Sequence, residues 1–446
     1  MSWILNIVCN YVLYISCVAL LIGYIIISIQ TRFVQIRLLP SLFKMTKGMF
    51  SSKEKGVLEG KHTILPHKAL FTAMSTTLGI ATIVCPVIAI NLGGPGALLG
   101  FLLVSFLGSA STYVEVLLSV QLRHKLPSGE IMGGPMQYLK HILSPSVARW
   151  YGFCCFILMA VWSSAQANQL SAALNSPLLE KYQISPYISG AFISLLIVSL
   201  VLGGIKKIGS LEAKLIPIKF LFYVGACLFI LLSDIPRLLD VLKLIWTSAF
   251  SPYSMATGAV VGGLMQTLRW GVFKGTQTCE AGLGTQTIPH AMAETNDPVK
   301  QATLAMLSTY ASGIIAFISG CVSLMTNTWQ DPSLPLGMSM VTASFQMYFA
   351  SFGIVLITSC ALVFSFGTIL GNSYNGSQAF TSFTGNRKKL YLYYAFTAGM
   401  IFWGSVSETK TVWALSDIVL ACMALPHMLG LVLHVTRKPK ETAVAA

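Results

Sequence analysis

The sequence predicts an all-α protein that crosses a membrane many times, and three observations support this fold class. Hydrophobic residues make up 54% of the 446 residues, charged residues only 10%, and the mean hydropathy is +0.72. Apolar stretches long enough to cross roughly 30 Å of hydrocarbon as helices recur along the whole chain. The basic residues collect in alternate connections between these stretches. Such a chain is a polytopic membrane protein rather than a soluble domain with a large core.

Eleven apolar stretches are candidates for membrane-spanning helices. Each is close to the length of about 20 residues that a helix needs to cross the hydrocarbon. The first is longer than the core of a signal peptide and has no Lys or Arg before it, so we interpret it as a retained helix. The predicted spans are, in chain order, 10–30, 66–92, 97–120, 150–172, 186–205, 212–233, 255–285, 301–325, 346–372, 388–405 and 411–434.

The positions of the positive charges predict the orientation. Most of the 29 Lys and Arg lie in one alternating set of connections, and the positive-inside rule makes that set cytoplasmic. With eleven crossings, the C-terminus is then cytoplasmic and the N-terminus outside. The net charge of +14 is therefore a topology signal and not a sign of nucleic-acid binding. The ten cysteines form no repeated CxxC and predict neither a disulfide framework nor a metal site.

Two of the predicted spans are interrupted by polar and small residues. The second contains Ser75-Thr76-Thr77-Leu78-Gly79 and ends in the GGPG turn at 93–96, and the seventh contains four glycines within 269–284. Unpaired backbone groups in hydrocarbon cost several kcal/mol each, so a break is tolerated only where it lines a cavity or a binding site. Glycines that merely permit close helix packing are the alternative. Packing alone explains less well why polar residues cluster at two matched positions.

The two breaks lie five spans apart, which predicts an internal repeat. If the first span is a peripheral addition, spans 2 to 6 and 7 to 11 form two halves that each open with a broken helix. An odd number of spans per half inverts the second half in the membrane, and paired breaks in such repeats indicate the binding site. The predicted units are an N-terminal helix with a basic cytoplasmic segment (1–65), a first repeat (66–235), a second, inverted repeat (236–436) and a cytoplasmic tail (437–446).

Motifs along nearly the whole chain resemble those of the alanine or glycine:cation symporter family. The GGPG turn followed by the EAGLG segment at 280–284 is the more specific part, and the other similar segments are 33–37, 133–138, 203–208, 366–371 and 413–417. The resemblance implies a leucine-transporter-like fold of two inverted five-helix repeats plus an extra N-terminal helix. It also implies cation-driven import of a small neutral amino acid across a bacterial cytoplasmic membrane. No cofactor and no obligate protein partner is implied, and membrane lipid is the remaining partner.

The chain departs from this family's pattern at four places. A Gly-Thr-Gly-Asn run is replaced by Gly79-Ile80-Ala81-Thr82, an Asn in the seventh span by Cys279, an Asp-Thr pair by Ser312-Gly313, and a Trp in the ninth span by Asn372. The lost Asn and Asp residues carry the oxygen ligands that suit a hard cation such as sodium. The coupling ion is therefore left open between sodium and a proton. The smaller side chains also predict a pocket that admits substrates bulkier than alanine.

A zwitterionic amino acid needs donors for its carboxylate and acceptors for its ammonium. Free backbone N–H groups of the half-helix that starts near Gly79 supply the donors. Backbone carbonyls of the second break and side chains of the fourth span supply the acceptors, although Gln166 and Asn168 near a helix end are equally compatible with an interfacial position. The predicted substrate-binding residues are Gly79, Ile80, Ala81, Thr82, Gln166, Asn168, Thr276, Thr278, Cys279, Gly282 and Asn372.

Ionisable groups within the spans are assigned to coupling or to structure. Lys219 stands where the resembled family typically has Met, and in some proton-coupled relatives within the wider fold a lysine on this helix replaces the sodium ion. A long stem that reaches cytoplasmic water is the alternative for Lys219. Ser365 and Thr368 are assigned to coupling with it. Glu115, Glu280 and Arg269 are given gating or structural roles, and for Glu115 the expected partner is Arg123.

Other classes of function fit these sequence patterns less well. A channel would need polar faces that continue along several helices, and a membrane-embedded enzyme would need more than His427 beside Pro426. A purely structural membrane protein does not account for the paired breaks. Within the transporter class, a cation-independent exchanger or a carrier of a different small solute remains the alternative. The sequence therefore predicts a non-enzymatic secondary transporter that works by alternating access.

Overall fold

The computed structural model describes residues 2–51, 63–125, 131–174, 185–201, 204–250 and 267–438. These residues are almost entirely helical. Two short strands, His124–Lys125 and Ile131–Met132, pair antiparallel. Short turns of π-helix and 3-10 helix occupy Thr267–Val272, Thr328–Gln330 and Arg387–Lys389. The α-helices are α1 Ser2–Gln30, α2 Val34–Arg37, α3 Leu39–Ser51, α4 Pro66–Thr77, α5 Ile80–Gly93, α6 Ala97–Gln121, α7 Pro135–Ile142, α8 Pro145–Leu174, α9 Pro186–Val201, α10 Gly204–Ser233, α11 Ile235–Phe250, α12 Phe273–Cys279, α13 Thr287–Ala291, α14 Pro298–Thr326, α15 Met338–Thr384, α16 Leu390–Val406 and α17 Thr409–Arg437.

Seven segments of the described chain are long and apolar enough to cross a membrane: Val12–Gln30, Pro66–Gly93, Ala97–Gln121, Pro145–Leu174, Pro298–Thr326, Met338–Thr384 and Thr409–Arg437. The bent pair Phe220–Ser233 and Ile235–Phe250, which turns through 100°, makes an eighth candidate. This confirms the predicted helical membrane protein. The count of eleven is not confirmed, because α9 and α16 hold only 16 and 17 residues and residues 251–266 of the seventh predicted span lie outside the described residues.

The first break separates α4 from α5 inside one membrane-spanning segment. Leu78 ends α4 with φ −93° and ψ 60°, and Gly79 is extended with φ −103° and ψ −169°. Only these two residues leave the helical conformation, and the segment around them is almost fully buried. The N-terminus of α5 therefore starts within the packed interior rather than at its surface.

The second break is longer and follows α12. Glu280, Gly282 and Gly284 all have positive φ, at 52°, 72° and 80°. Positive φ is a conformation that glycine adopts without strain and other residues rarely adopt, which accounts for both glycines of the EAGLG segment. The break begins only at Glu280, so the stretch from Thr276 to Cys279 is helical.

The long helices pack in pairs around these two breaks. Helix α15 lies along α8, α14 lies along α6, and α1 lies along α17. Helix α15 is itself interrupted at Ala350, with φ 48° and ψ −135°, so that a shorter N-terminal piece precedes the main helix. The two breaks face the space between these pairs, so their irregular backbone lies in the protein interior, as a bilayer requires.

Close approach of backbones fixes the position of α6 against the π-helical turn. A Cβ atom added at Gly100 would lie 2.3 Å from the carbonyl carbon of Gly271, whereas one added at Gly225 on α10 would meet nothing within 4 Å. Replacing either glycine by Ala removes the same intrinsic helix penalty of about 1 kcal/mol. The two substitutions therefore have the same effect on helix propensity and differ only in whether the added Cβ meets neighbouring atoms.

We expect Gly100→Ala to lower the free energy of unfolding by about 1–3 kcal/mol through overpacking. Gly225→Ala should leave it unchanged or raise it. Thermal unfolding of both purified variants in detergent measures the difference. Equal shifts of the two unfolding temperatures would contradict the close packing at Gly100.

Candidate functional site

A buried cavity lies where the two breaks meet. It lies between α4, α5, α8, α12, α15 and α17 and is narrow in this conformation, with a volume of about 10 Å³, roughly the room that one water molecule needs. The two tryptophans and two glutamines of its lining come from helices far apart in the sequence, which explains why no single motif reveals it. The lining residues are Thr76, Ala81, Trp162, Ala165, Gln166, Gln277, Glu280, Thr368, Asn372 and Trp413.

The N-terminus of α5 forms one wall of this central cavity. The N–H of Ile80 donates to Gln166 Oε1 at 3.0 Å, and the Thr368 hydroxyl donates to the carbonyl of Ser75 at 2.8 Å. A Cβ at Gly79 would lie 2.3 Å from Thr368 Oγ1, so glycine is required for this close approach. The first N–H groups of a helix lack intrahelical partners and carry partial positive charge, so this wall favours an anionic group.

Helix α12 supplies the opposite wall through Gln277 and Glu280. The hydroxyl of Thr285 donates to Glu280 Oε2. The Gln277 carboxamide accepts from Lys274 at 3.0 Å and donates to Ser416 Oγ at 2.7 Å. Gln277 is therefore held by protein partners, while the Glu280 carboxylate brings negative charge to the cavity.

A buried ion pair joins α12 to α17 beside the cavity. Lys274 Nζ lies 2.7 and 2.9 Å from the two carboxylate oxygens of Asp417, and these side chains are 1% and 8% exposed. Lys274 Nζ also lies 5.0 Å from the centre of the Trp413 ring, a cation–π geometry. The pair neutralises both charges in a place where either charge alone is costly.

Trp413 separates the central cavity from a second, larger one. The outer cavity has a volume of about 180 Å³ and lies at the end of the bundle where α5 ends and α17 begins. Its lining includes Leu92, Lys274, Lys410 and Asp417, and Trp413 lines both spaces. The indole and the ion pair together form the partition between the two cavities.

Two lining side chains carry unused hydrogen-bonding groups. Both Nδ2 and Oδ1 of Asn372, and Nε1 of Trp413, have no hydrogen-bond partner among the residues that the structure describes. Their side chains are nonetheless buried, at 0% and 6% exposed. A buried polar group without a partner costs about 1–3 kcal/mol. Unsatisfied groups on a cavity wall therefore indicate where a ligand binds.

Side chains from three helices hold the carbonyl groups of the second break. Tyr24 OH donates to Ala281 O at 2.9 Å, and Tyr151 OH donates to Leu283 O at 2.6 Å. His427 Nδ1 lies 2.8 Å from Gly282 O, and its Nε2 lies 2.6 Å from Tyr138 OH. Because a carbonyl only accepts, this geometry assigns the proton of a neutral His427 to Nδ1. We call Tyr24, Tyr151 and His427 the loop clamp.

Glu115 does not pair with Arg123. The Arg123 guanidinium donates to the carbonyls of Ala291, Ala293 and Thr295 at 2.6 to 2.8 Å. Glu115 is fully buried, and its Oε1 lies 3.9 Å from His427 Nδ1. Arg123 follows the end of α6 and binds the last residue of α13 and the segment after it, while Glu115 lies close to His427 of the loop clamp.

Of the residues predicted for substrate binding, Ala81, Gln166 and Asn372 line the central cavity. Gly79 and Ile80 are not part of the lining but contact the lining residues Thr368 and Gln166. Asn168 lies elsewhere: it donates to the carbonyls of Gly404 and Ser407 at 2.9 and 2.7 Å. Thr82 bonds to the carbonyl of Thr77, and Thr276 to Tyr24. Thr278, Cys279 and Gly282 are absent from the lining.

Only one of the residues predicted for coupling, Thr368, lines the central cavity in the described part of the chain. Ser365, one turn earlier on α15, is buried with no partner for its hydroxyl among the described residues. The side chain of Lys219 lies outside the described residues. Arg269 lies over the rings of Tyr14 and Trp270, at 5.4 and 4.8 Å from their centres.

Sequence reasoning missed the pairing of Lys274 with Asp417 and the roles of Trp162, Gln277 and the loop clamp. Trp162 Nε1 donates to Ser416 Oγ at 2.9 Å, which ties α8 to α17. Opposite charges in two different predicted spans were the available signal for the ion pair. The tyrosines of the loop clamp gave no signal, because an aromatic residue in an apolar helix is also ordinary core.

The fold and the cavity define a polytopic membrane protein of the transporter class. The chain matches the sodium:alanine symporter family over residues 1–442. It belongs to this family, which confirms the resemblance.

Individual relatives and structures agree with this assignment. The sodium/alanine symporter AgcS of Methanococcus maripaludis is 31% identical over 418 residues, which cover 92% of this chain and 89% of the relative. The probable sodium/glutamine symporter GlnT of Bacillus subtilis is 27% identical, with 93% and 84% covered. A solved Na⁺-coupled sialic acid symporter in an outward-open state has a TM-score of 0.53 at 14% identity, covering 97% of this chain and 85% of that one. This last likeness concerns the fold alone.

The ion pair yields a test of the packing around the site. Lys274→Met or Asp417→Leu leaves one charge buried without its partner, which costs about 3–5 kcal/mol. We expect the double variant to be destabilised less than either single variant, because neither charge remains. Thermal unfolding in detergent measures all three. Losses that simply add would show that the two side chains do not interact.

Proposed function

We propose that this protein is a secondary transporter that imports a small neutral amino acid together with a sodium ion or a proton. Membership of a symporter family supports cation-coupled transport of amino acids. The observation that carries the proposal is the enclosed cavity between the two helix breaks. Its lining combines polar and aromatic side chains that are mostly buried in the protein, which suits a single small solute.

The two ends of an amino acid find complementary groups in this cavity. The positive end of the α5 dipole attracts the carboxylate, although the N–H groups of Ile80 and Thr82 already donate to Gln166 and Gly79. Glu280 accepts the ammonium, since it is the one carboxylate in the described lining and Asp417 is already neutralised by Lys274. This role for Glu280 replaces the purely structural or gating role suggested by the sequence. Thr276, Thr278, Cys279 and Gly282 remain candidates through movement of the second break.

Alternating access requires that the cavity open to one side at a time. Trp413 and the Lys274–Asp417 pair close it towards the outer cavity, and the loop clamp closes it on the other side. We propose that residues 66–235 and 236–436 form two inverted repeats, with 1–65 as an addition and 437–446 as a tail. The predicted spans 2, 3, 7 and 8 then move against the predicted spans 4, 5, 9 and 10. The location is a bacterial cytoplasmic membrane, with the N-terminus outside and the C-terminus inside.

The coupling ion is proposed to act near the first break. Ser365 and Thr368 offer hydroxyl oxygens close to the carbonyl end of α4, and oxygen is the ligand that sodium prefers. Lys219 lies on α10, which packs against α4 and α15. A lysine at this position can supply a positive charge in place of sodium and release it as a proton.

Uptake into proteoliposomes distinguishes these couplings. We expect a neutral amino acid to accumulate under either an imposed sodium gradient or an imposed pH gradient, and Lys219→Met to abolish only the pH-driven component. Uptake driven by sodium alone and unchanged in Lys219→Met would remove Lys219 from the mechanism. If labelled amino acid enters only proteoliposomes that were preloaded with unlabelled amino acid, and needs neither a sodium nor a pH gradient, the protein is an exchanger instead.

Glu280→Gln tests the ammonium site. The variant keeps the acceptor for Thr285 but loses the charge, and a hydrogen bond to a charged group contributes about 1.5–3 kcal/mol. We expect amino-acid affinity to fall by about tenfold to a hundredfold. In a thermal-shift assay, a ligand at 100 times its dissociation constant stabilises by about 2.7 kcal/mol, which sets the signal to look for in the wild type.

Glu294→Gln is the matched control for this variant. Glu294 is exposed and lies outside the cavity lining, so ligand-induced stabilisation should be unchanged. Equal affinities of wild type and Glu280→Gln would exclude Glu280 from the ammonium site.

A further inference from the structure

Asn372 differs from the other amide side chains of the central cavity in its partners. Gln277 is bonded to Lys274 and Ser416, and Gln166 Oε1 receives the N–H of Ile80. Asn372 is just as deeply buried, yet neither of its polar atoms has a partner in the described part of the chain. Its one donor atom and one acceptor atom are therefore available to whatever occupies the cavity.

A second unpaired group belongs to another residue that lines the central cavity. Trp413 Nε1 donates to no acceptor among the described residues, although the indole is only 6% exposed. The cavity thus presents N–H donors from two side chains, Asn372 and Trp413, and one carbonyl acceptor, Asn372 Oδ1. A complementary ligand group must accept from the donors and donate to the acceptor.

We propose that Asn372 determines the specificity of the cavity and selects an amino acid whose side chain ends in a carboxamide. This inference rests on the proposed function, since it assumes that the cavity binds an amino acid. A side-chain carboxamide pairs with both atoms of Asn372, and the second lone pair of its oxygen accepts from Trp413. A carboxamide side chain carries both a donor and an acceptor, which are the two kinds of partner that the unpaired atoms of Asn372 lack.

Other side-chain chemistries leave part of this wall unsatisfied. A carboxylate has no donor for Asn372 Oδ1 and adds a negative charge in a cavity that already holds Glu280. An ammonium offers nothing to the two donors. A hydroxyl has a single oxygen, which does not span both atoms of the Asn372 carboxamide. An apolar side chain leaves all three positions unpaired, and a site built for hydrogen bonding rejects such ligands strongly.

Dissociation constants of the purified protein in detergent test the proposal. L-Glutamine and L-asparagine are compared with L-methionine and L-leucine, which have similar shapes without the amide, and with L-glutamate, L-serine and L-alanine. We expect each amide to bind at least about tenfold more tightly than its apolar counterpart. This comparison needs no variant and so does not depend on the folding of a mutant protein.

Asn372→Leu removes both hydrogen-bonding atoms while roughly keeping the shape. We expect the ratio of amide to apolar affinity to fall to about one, with methionine binding retained. Ser373→Ala is the matched control, because Ser373 is the next residue on α15 and is also buried and unpaired in the described chain, but does not line the cavity. Its ratio should equal that of the wild type. If Asn372→Leu does not fold, Asn372→Ser replaces it.

The outcomes separate this inference from the proposed function. If alanine, leucine or methionine binds as tightly as the amides, or if Asn372→Leu keeps the wild-type ratio, the specificity assigned to Asn372 is overturned while amino-acid binding stands. If none of the seven amino acids binds, the proposed function fails and this inference fails with it.

Discussion

Broken helices inside a membrane protein depend on hydrogen-bond partners for their interrupted backbone, because hydrocarbon supplies none. In this protein the carbonyls of Ala281, Gly282 and Leu283 are met by Tyr24, His427 and Tyr151. These side chains belong to α1, α17 and α8. The second break is therefore not a local property of its own sequence. It exists only because three distant helices pack close enough to hold it.

Hydrogen-bond partners also distinguish the second break from the central cavity. The carbonyls of Ala281, Gly282 and Leu283 are bound by protein side chains, whereas Asn372 and Trp413, which line the central cavity, keep unused groups. The backbone of the second break is thus fully used in holding the fold together, while polar groups of the cavity lining remain available to a ligand. Lys274 and Asp417 neutralise each other. Glu280 is therefore the charged group of the described lining that a ligand contacts.

Local sequence features predicted the breaks well and their partners poorly. Ser75 to Gly79 and the EAGLG segment mark interruptions because small and polar residues in an apolar span are visible along the chain. Gln166 and Asn372 were identified through the family pattern, and both line the cavity. Asn168 and Glu115 show the limit: their side chains face partners on α16, α17 and the second break. Such partners are set by tertiary packing, which spacing along one helix does not encode.

The position of Trp413 in the wall of both cavities has a geometric consequence. Since the central and outer cavities share this indole, they are not independent volumes: a rotation that widens one narrows the other. A bulky solute lodged in the outer cavity then blocks the swing of the indole in that direction and traps whatever lies beneath it. Blockade of this kind acts without contact with the bound substrate, so raising the substrate concentration does not relieve it.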